Sequence, residues 1–230
     1  FLKVRPARNA SSVASAGGQI LYIGKATSLR DRVKSYFGKD LIETRGPLLV
    51  DMVFKASSIK WQSTDSALEA LILEASLIKK HQPYYNTREK DDRSFNYVCI
   101  TKDKLPKVVV VRGKNLPQIK DSFTKTYGPY TNSSQLKEAM KIVRKIFPFL
   151  DDKSKNYLEF YKQINLVPDL KDRRMYLQNI RNIKLFFSGK KKQILKNLKK
   201  EMGVYAKKKE FEKAGEIKRQ IFSLQHINDI

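Results

Sequence analysis

The stretch LYIGKATSLRDRVKSYF, Leu21 to Phe37, decides the fold of this 230-residue chain. An apolar run from Ile20 to Ile23 predicts a buried strand, which Gly24 is expected to end. Ser28 and Asp31 have the spacing of a capping box, so a helix should begin there. The apolar face of that helix is predicted to hold Leu29, Val33 and Phe37.

Four polar side chains are expected to converge where this strand meets the helix. Tyr22 and Lys25 lie at the end of the strand and in the turn, while Arg32 and Tyr36 are four residues apart on one helix face. None of the four is a carboxylate, and two phenols with a guanidinium and an ammonium suit a phosphate. Spacing alone fits equally well with two tyrosines that merely pack, one on the strand and one on the helix.

The composition favours a polyanionic partner. Lys and Arg number 47 against 23 Asp and Glu, which gives a net charge of +24 and a pI of about 10.0; nucleic acid or an anionic membrane surface would match. No apolar run is long enough to span a bilayer and no signal peptide is visible, so no membrane partner is expected. The single cysteine, Cys99, and two distant histidines exclude zinc fingers and Cys-ligated clusters and favour a reducing cytoplasm.

A second informative block follows from residue 66 to residue 86. Ser66 and Glu69 form a capping box for a helix over Ala67 to Lys80, and Pro83 lies just beyond its end. Glu74 lies at the margin of the apolar face, where a carboxylate needs a counter-charge or a metal. A surface or ion-paired glutamate is the commoner outcome for such a residue. The predicted core face holds Leu68, Leu71, Ile72, Ala75 and Ile78.

The order Y-I-G-K-A-x-x-L-x-x-R-x-x-x-Y-F, from Tyr22 to Phe37, resembles the second half of the GIY-YIG nuclease signature. The likeness is greatest to the amino-terminal domain of the UvrC family of excinucleases. The block E-A-L-x-L-E-x-x-L-I-K-K-x-Q-P-x-Y-N, from Glu69 to Asn86, is similar to the second block of that family. The resemblance implies six catalytic residues: Tyr22, Lys25, Arg32, Tyr36, Glu74 and Asn86.

The resemblance also implies a role for each of these six side chains. Glu74 would hold one Mg²⁺ or Mn²⁺ ion, since a single carboxylate leaves several waters on magnesium. Lys25 and Arg32 would bind phosphate. Their charges are also expected to lower the pKa of Tyr22, the candidate base. The implied role of Tyr36 is to orient phosphate or water, and that of Asn86 is to fix a phosphate or a neighbouring side chain. The base remains open among Tyr22, Tyr36 and a further tyrosine of the family's first strand.

That further tyrosine belongs to a Gly-x-Tyr triplet which this sequence does not show. Phe1 to Val4 is interpreted as a strand and Arg5 to Gly18 as a loop rich in Ala, Ser and Gly. The position equivalent to the triplet falls in Ala10–Ser12. Our hypothesis is that the triplet lies upstream of Phe1 and that the hairpin carries an insertion. The alternative is a site that has lost its first tyrosine.

The predicted fold class is α+β, with a small mixed or antiparallel sheet of the GIY-YIG type flanked by helices and followed by an all-helical region. Four domains are expected: a nuclease domain (1–95), a strand and helix extension (96–150), a helical linker (151–189) and a helical hairpin (190–230). Within the extension, strands are predicted at Asn96–Thr101 and Val108–Arg112, and a turn at Tyr127–Tyr130. UvrC proteins usually carry four cysteines after the position of Phe149, and because this chain has none there, no iron–sulfur cluster is expected.

The last segment, 190–230, is predicted to be two basic helices that separate at Lys207–Lys209. Its pattern is similar to the UVR motif, the hairpin by which UvrC proteins dock on UvrB, which implies UvrB as a partner. The motif is short and also occurs in unrelated proteins, and a solvated basic coiled coil is the simpler interpretation. The residues that carry the likeness are Leu198, Met202, Phe211, Glu212, Ala214, Arg219 and Ile221.

Taken together, these features predict a metal-dependent endonuclease of nucleotide excision repair. Its expected partners are lesion-bearing double-stranded DNA and UvrB, and the expected product is the 3′-side incision. The main alternative is a non-catalytic DNA-binding or adaptor protein derived from a decayed GIY-YIG domain, which the unseen tyrosine and missing cysteines favour. A homing-type GIY-YIG endonuclease is a third interpretation, against which the UVR-like hairpin argues.

Overall fold

The computed structural model describes residues 8–38, 40–87, 95–152 and 172–227, with the backbone alone for 8–15. These residues fall into two compact units. The first runs to Asn96 and includes Arg112–Lys114 and Gly128–Thr131, while the second holds the remainder. The α+β class is confirmed, whereas the division into four domains stays a prediction. No helix in the described ranges is long and apolar enough to cross a membrane.

The first unit is built on a three-stranded antiparallel sheet in the order β2-β1-β3. Its strands are β1 (Arg8–Ala16), β2 (Gln19–Ser28) and β3 (Ser58–Ser63). Its helices are α1 (Leu29–Lys34), α2 (Leu41–Arg45), α3 (Pro47–Lys55), α4 (Ala67–His81) and α5 (Tyr84–Thr87). The core that lies against β2 consists of Leu21, Tyr36, Leu41, Leu49, Met52 and Tyr85.

The predicted loop over residues 5–18 is wrong for Arg8–Ala16, which form a strand, and holds for Gly17 and Gly18. Arg8–Ala16 is the middle strand, paired with β2 on one side and β3 on the other. Pairing on both edges outweighs the weak strand propensity of Ala and Ser, because β propensity depends strongly on context. The connection to β2 is only Gly17 and Gly18, both at positive φ. The hairpin insertion is therefore also wrong, and the predicted strand at 1–4 lies outside the described residues.

The stretch from Leu21 to Phe37 folds as a strand followed by a helix, but both elements end at residues other than those predicted. Gly24 does not end β2, because Gly24 pairs with Ser12 of β1 and the strand continues to Ser28. The Ser28 hydroxyl accepts a hydrogen bond from the Asp31 N–H (3.3 Å), as the capping box predicts. Helix α1 then ends at Lys34, so Tyr36 and Phe37 both lie beyond it, and Tyr36 does not share a helix face with Arg32 as predicted. Phe37 is exposed rather than part of an apolar face.

Helix α4 matches its prediction closely. The Ser66 hydroxyl accepts a hydrogen bond from the Glu69 N–H (3.1 Å), and Gln82 ends the helix in the left-handed conformation. The five predicted core residues of this helix are all buried, and so is Glu74. Trp61 lies on β3.

A second three-stranded sheet has the order β5-β4-β6. Its strands are β4 (Asn96–Thr101), β5 (Val108–Arg112) and β6 (Phe123–Tyr130), so the first two confirm their predictions. The turn predicted at Tyr127–Tyr130 is wrong, because these residues form the end of β6. The helices that follow β5 in the described residues are α6 (Leu116–Ile119), α7 (Ser133–Ile146), α8 (Arg173–Phe187), α9 (Lys191–Lys207) and α10 (Phe211–Gln225).

Helices α9 and α10 form the predicted hairpin, joined through Lys208–Glu210. Leu198 and Ile221 are buried, because α8 contacts α9 and α7 contacts α10 in addition to the packing within the hairpin. Both residues are thus packed within this unit, and the contact of the UVR-like residues with a partner stays a prediction. The remaining residues of the UVR-like pattern stay accessible: Phe211, Glu212 and Arg219 are exposed, and Met202 and Ala214 are half-buried.

Candidate active site

The outer edge of β2 is bound by two side chains from distant parts of the chain. The Ile23 N–H donates to Asn86 Oδ1 (2.7 Å), and Asn86 Nδ2 donates to the Ile23 carbonyl (2.8 Å). Two residues further along the same edge, the Lys25 N–H donates to Glu74 Oε1 (3.1 Å). Because β2 lies at the end of the sheet, these groups have no neighbouring strand to pair with. Asn86 and Glu74 thus hold the strand that carries Tyr22.

Glu74 and Lys25 also form an ion pair. Lys25 Nζ lies 3.2 Å from Glu74 Oε2, and Glu74 is only 6% exposed. Burial raises the pKa of Glu74, while the charge and hydrogen bonds of Lys25 oppose that rise. The Glu74 carboxylate therefore has a counter-charge. A counter-charge or a metal was expected for a carboxylate at the margin of the apolar face of α4.

Tyr22, Arg32 and Tyr36 form a second cluster beside this pair. Arg32 Nη2 donates to the Tyr22 hydroxyl (3.1 Å), and the guanidinium carbon lies 5.2 Å from the centre of the Tyr36 ring. The two tyrosine rings meet edge to face, with their centres 6.4 Å apart. Arg32 Nε and the Tyr36 hydroxyl are buried without a hydrogen-bond partner among the described residues. Such groups are costly in a folded protein, and a bound anion or water would satisfy them.

The pKa of Tyr22 is raised, not lowered. Burial of the phenol is the main cause and the neighbouring Tyr36 adds to it, whereas the charge of Arg32 acts in the opposite direction. The expectation of a net lowering is wrong, because the loss of solvent around the phenol outweighs the charge of Arg32. The raised pKa favours the neutral phenol form of Tyr22.

The six residues suggested by the resemblance all lie in the first unit, and five of them contact one another in two groups: Tyr22, Arg32 and Tyr36, and Lys25 and Glu74. Both ends of the Asn86 amide bind the main chain of Ile23, which positions the strand. Its expected role toward a phosphate or a neighbouring side chain stays a prediction.

Sequence reasoning missed the part that Gly24 plays in this site. A Cβ at Gly24 would lie 2.8 Å from Cε1 of the Tyr22 ring, which packs directly over the glycine. A side chain there would force the phenol away from Arg32. The signal was present in the Tyr-Ile-Gly triplet, since a glycine two residues after a strand tyrosine lies on the same face.

Comparison with known proteins gives the class of this unit. Residues 12–87 match the profile of the UvrC-like GIY-YIG domain, and this part of the chain belongs to that family of endonuclease domains. Beyond the domain, most of the chain is homologous to UvrABC system protein C. It is 34% identical over 223 residues to the protein of Moorella thermoacetica and 35% identical over 220 residues to that of Synechocystis sp..

These alignments cover 92% of this chain but only 35% and 34% of the two relatives, so the chain spans about a third of their length. Among solved structures, it is similar to the GIY-YIG N-terminal endonuclease domain of UvrC from Thermotoga maritima. The magnesium-bound form shows 30% identity with a TM-score of 0.33, covering 36% of this chain and 88% of that one. A point mutant bound to the catalytic divalent cation gives 30% identity and the same TM-score.

Proposed function

We propose that this chain is a divalent-metal-dependent endonuclease of nucleotide excision repair that hydrolyses a phosphodiester on the 3′ side of a DNA lesion. The observation that carries the proposal is the juxtaposition of a half-buried guanidinium and two phenols with a buried carboxylate. Arg32 contacts Tyr22 and Tyr36, and Glu74 of α4 binds Lys25 on the strand that carries Tyr22. The lesion-bearing duplex and UvrB are the proposed partners, and the cytoplasm is the proposed location.

The donor set fits one hard divalent cation. Glu74 supplies a buried carboxylate oxygen, and within the described ranges no three His, Cys, Asp or Glu residues group as a metal site. Magnesium commonly binds one or two carboxylates and keeps several waters, so a single ligand is adequate. Lys25 Nζ would have to leave Glu74 Oε2 to admit the ion. When bound, the ion would stabilise charge on the phosphate and the leaving oxygen.

The other residues act on the phosphate and on its surroundings. Arg32 presents a planar cation whose Nε has no hydrogen-bond partner among the described groups, which suits a non-bridging phosphoryl oxygen. The Tyr36 hydroxyl is likewise buried and can orient phosphate or water. The Tyr22 hydroxyl accepts a hydrogen bond from Arg32, and its raised pKa favours the protonated phenol.

A nicking assay tests the proposal. With Mg²⁺, UvrB and a lesion-bearing duplex labelled at either end, we expect one nick on the 3′ side and no 5′ cut. Glu74 is the single carboxylate assigned to metal, and the acidic residues of the hairpin, such as Glu201 and Glu216, are spread along two helices. Omission of UvrB and an undamaged duplex are the controls. A 5′ incision would reveal a second active site, and no incision at all would refute the nuclease.

The hairpin of α9 and α10 is the proposed UvrB contact. Phe211 is 70% exposed at the start of α10, with Glu212 and Arg219 exposed on the same helix. We expect Phe211→Ala to weaken UvrB binding about thirtyfold, the size of a typical interface hot spot. Phe54→Ala, an equivalent change on α3 in the other unit, should bind normally. Equal affinity of both variants in a titration by calorimetry would contradict this role.

One observation favours the non-catalytic alternative. Ala10–Ser12, where the family's first tyrosine is expected, lies within β1 beside β2 and contains no tyrosine. In that case the chain would bind DNA and UvrB without cutting. The two functions separate in the assay above, because only the nuclease converts the labelled duplex when Mg²⁺ is present.

A further inference from the structure

An exposed tryptophan lies on the edge strand of the first unit. Trp61 is 49% exposed, and every residue of β3 from Ser58 to Ser63 is exposed. β3 is at the end of the sheet opposite to β2. An indole combines a large apolar surface with one polar group, so an exposed tryptophan is well suited to bind a flat partner.

The strand register puts Trp61 on the same sheet face as Tyr22. Ser12 of the middle strand pairs with Gly24 on one side and with Trp61 on the other. Residues that are directly opposite in an antiparallel sheet share a face. Gly24 and Tyr22 also share a face, since the Tyr22 ring packs over Gly24. The exposed indole and the candidate active site therefore belong to one continuous face.

We propose that Trp61 stacks on an unpaired or splayed nucleobase of the DNA strand that is cut, and this proposal rests on the nuclease function above. Adjacent strands are about 4.8 Å apart, so the backbone of Trp61 lies about 10 Å from that of Gly24. Stacked nucleotides of one strand rise about 3.4 Å each and unstacked ones extend further, so this span is at most about three nucleotides. The stacked base would therefore lie within about three nucleotides of the phosphate bound by Arg32.

The charge around β3 agrees with a nucleic acid as the occupant. β3 contains Lys60 and no acidic residue, although the Lys60 side chain alternates to the face opposite Trp61. On the face of Trp61 itself the cation is Arg32, which donates to the Tyr22 hydroxyl. An exposed aromatic beside cations is the common design of sites that bind single-stranded nucleic acid, where stacking tolerates any base. DNA opened around a lesion would offer such bases, whereas bases of an intact duplex are already stacked.

Fluorescence gives a direct test, because Trp61 is the only tryptophan of the chain. The probe is a duplex with a short unpaired segment, bound in EDTA so that no hydrolysis occurs. We expect saturation to quench the emission of the full chain. Trp61→Ala should weaken binding about fivefold to a hundredfold, in line with stacking of one base. Trp61→Phe should retain most of the affinity, and a fully paired duplex should not distinguish Trp61→Ala from the unsubstituted chain.

Phe54→Ala is the matched control, since Phe54 is 86% exposed but lies on α3 and not in the sheet. The proposal would be overturned by unchanged emission at saturation, or by equal affinity of Trp61→Ala and the unsubstituted chain for the unpaired probe. Mg²⁺-dependent nicking in the same experiment would show that the nuclease function still holds. Absence of both nicking and binding would refute the two together. If Trp61→Ala impaired UvrB binding or self-association instead, Trp61 would be a protein contact. If Trp61→Ala folds poorly, the quenching of the full chain and the DNA affinity of Trp61→Phe still test whether Trp61 stacks on a base.

Discussion

Replacement of Glu74 by alanine is expected to abolish Mg²⁺-dependent nicking, with a rate loss of at least about a thousandfold. That loss corresponds to about 4 kcal/mol, which is within what one metal ion contributes to stabilising a charged transition state. No second carboxylate is assigned to the ion, so no neighbouring ligand can compensate. DNA affinity should change little, because a net charge of +24 supplies most of the binding.

Two further variants make the Glu74 result specific. Alanine leaves the Lys25 ammonium without its buried partner, which destabilises the fold. Glu74→Gln keeps an oxygen that can accept from the Lys25 N–H and should fold while remaining inactive. Glu43→Ala removes an exposed carboxylate from α2 in the same unit and should nick normally. Ordinary Mg²⁺-dependent rates in both Glu74 variants would remove the proposed metal site.

Replacement of Arg32 by lysine is expected to slow single-turnover nicking by about a hundredfold or more, with little change in folding. Lysine keeps the positive charge but loses the planar fork. In the present arrangement one arm of that fork, Nη2, holds the Tyr22 hydroxyl, while Nε is left for another acceptor. A lysine ammonium cannot serve both positions at once.

The control for Arg32→Lys is the same change at Arg30, which is exposed on the same short helix. Arg30→Lys should retain the normal rate, and both variants should keep the unfolding midpoint of the unsubstituted chain. DNA affinity should be similar for both, because each preserves the net charge. If Arg32→Lys cleaved as fast as Arg30→Lys, Arg32 would be only a surface cation.

The parts of the fold that depend on local signals were predictable from the sequence. Ser66 and Glu69 begin α4, its apolar spacing defines the buried face, and Ser28 with Asp31 begins α1. Glu74 was predictable as an anomaly, since a carboxylate beside apolar residues requires a partner. These features involve residues within a few positions of one another, and the chain can satisfy them before any tertiary contact forms.

The errors arose where distant segments meet. The β1 segment is strand only because β2 and β3 pair with it on both sides, information that a run of Ala and Ser does not contain. Leu198 and Ile221 of the UVR-like pattern are buried where α7 and α8 pack on the hairpin, which the hairpin's own sequence does not reveal. The raised pKa of Tyr22 likewise depends on burial, which outweighs the charge of the nearby Arg32.

The amide of Asn86 and the carboxylate of Glu74 have a consequence for the solubility of the first unit. The ends of a sheet expose unpaired backbone groups that can recruit a strand from another molecule and lead to aggregation. At Ile23 and Lys25 those groups are already bound by side chains 63 and 49 positions away in sequence. An incoming strand would have to displace both, so the two residues that organise the site also protect this edge from intermolecular strand addition.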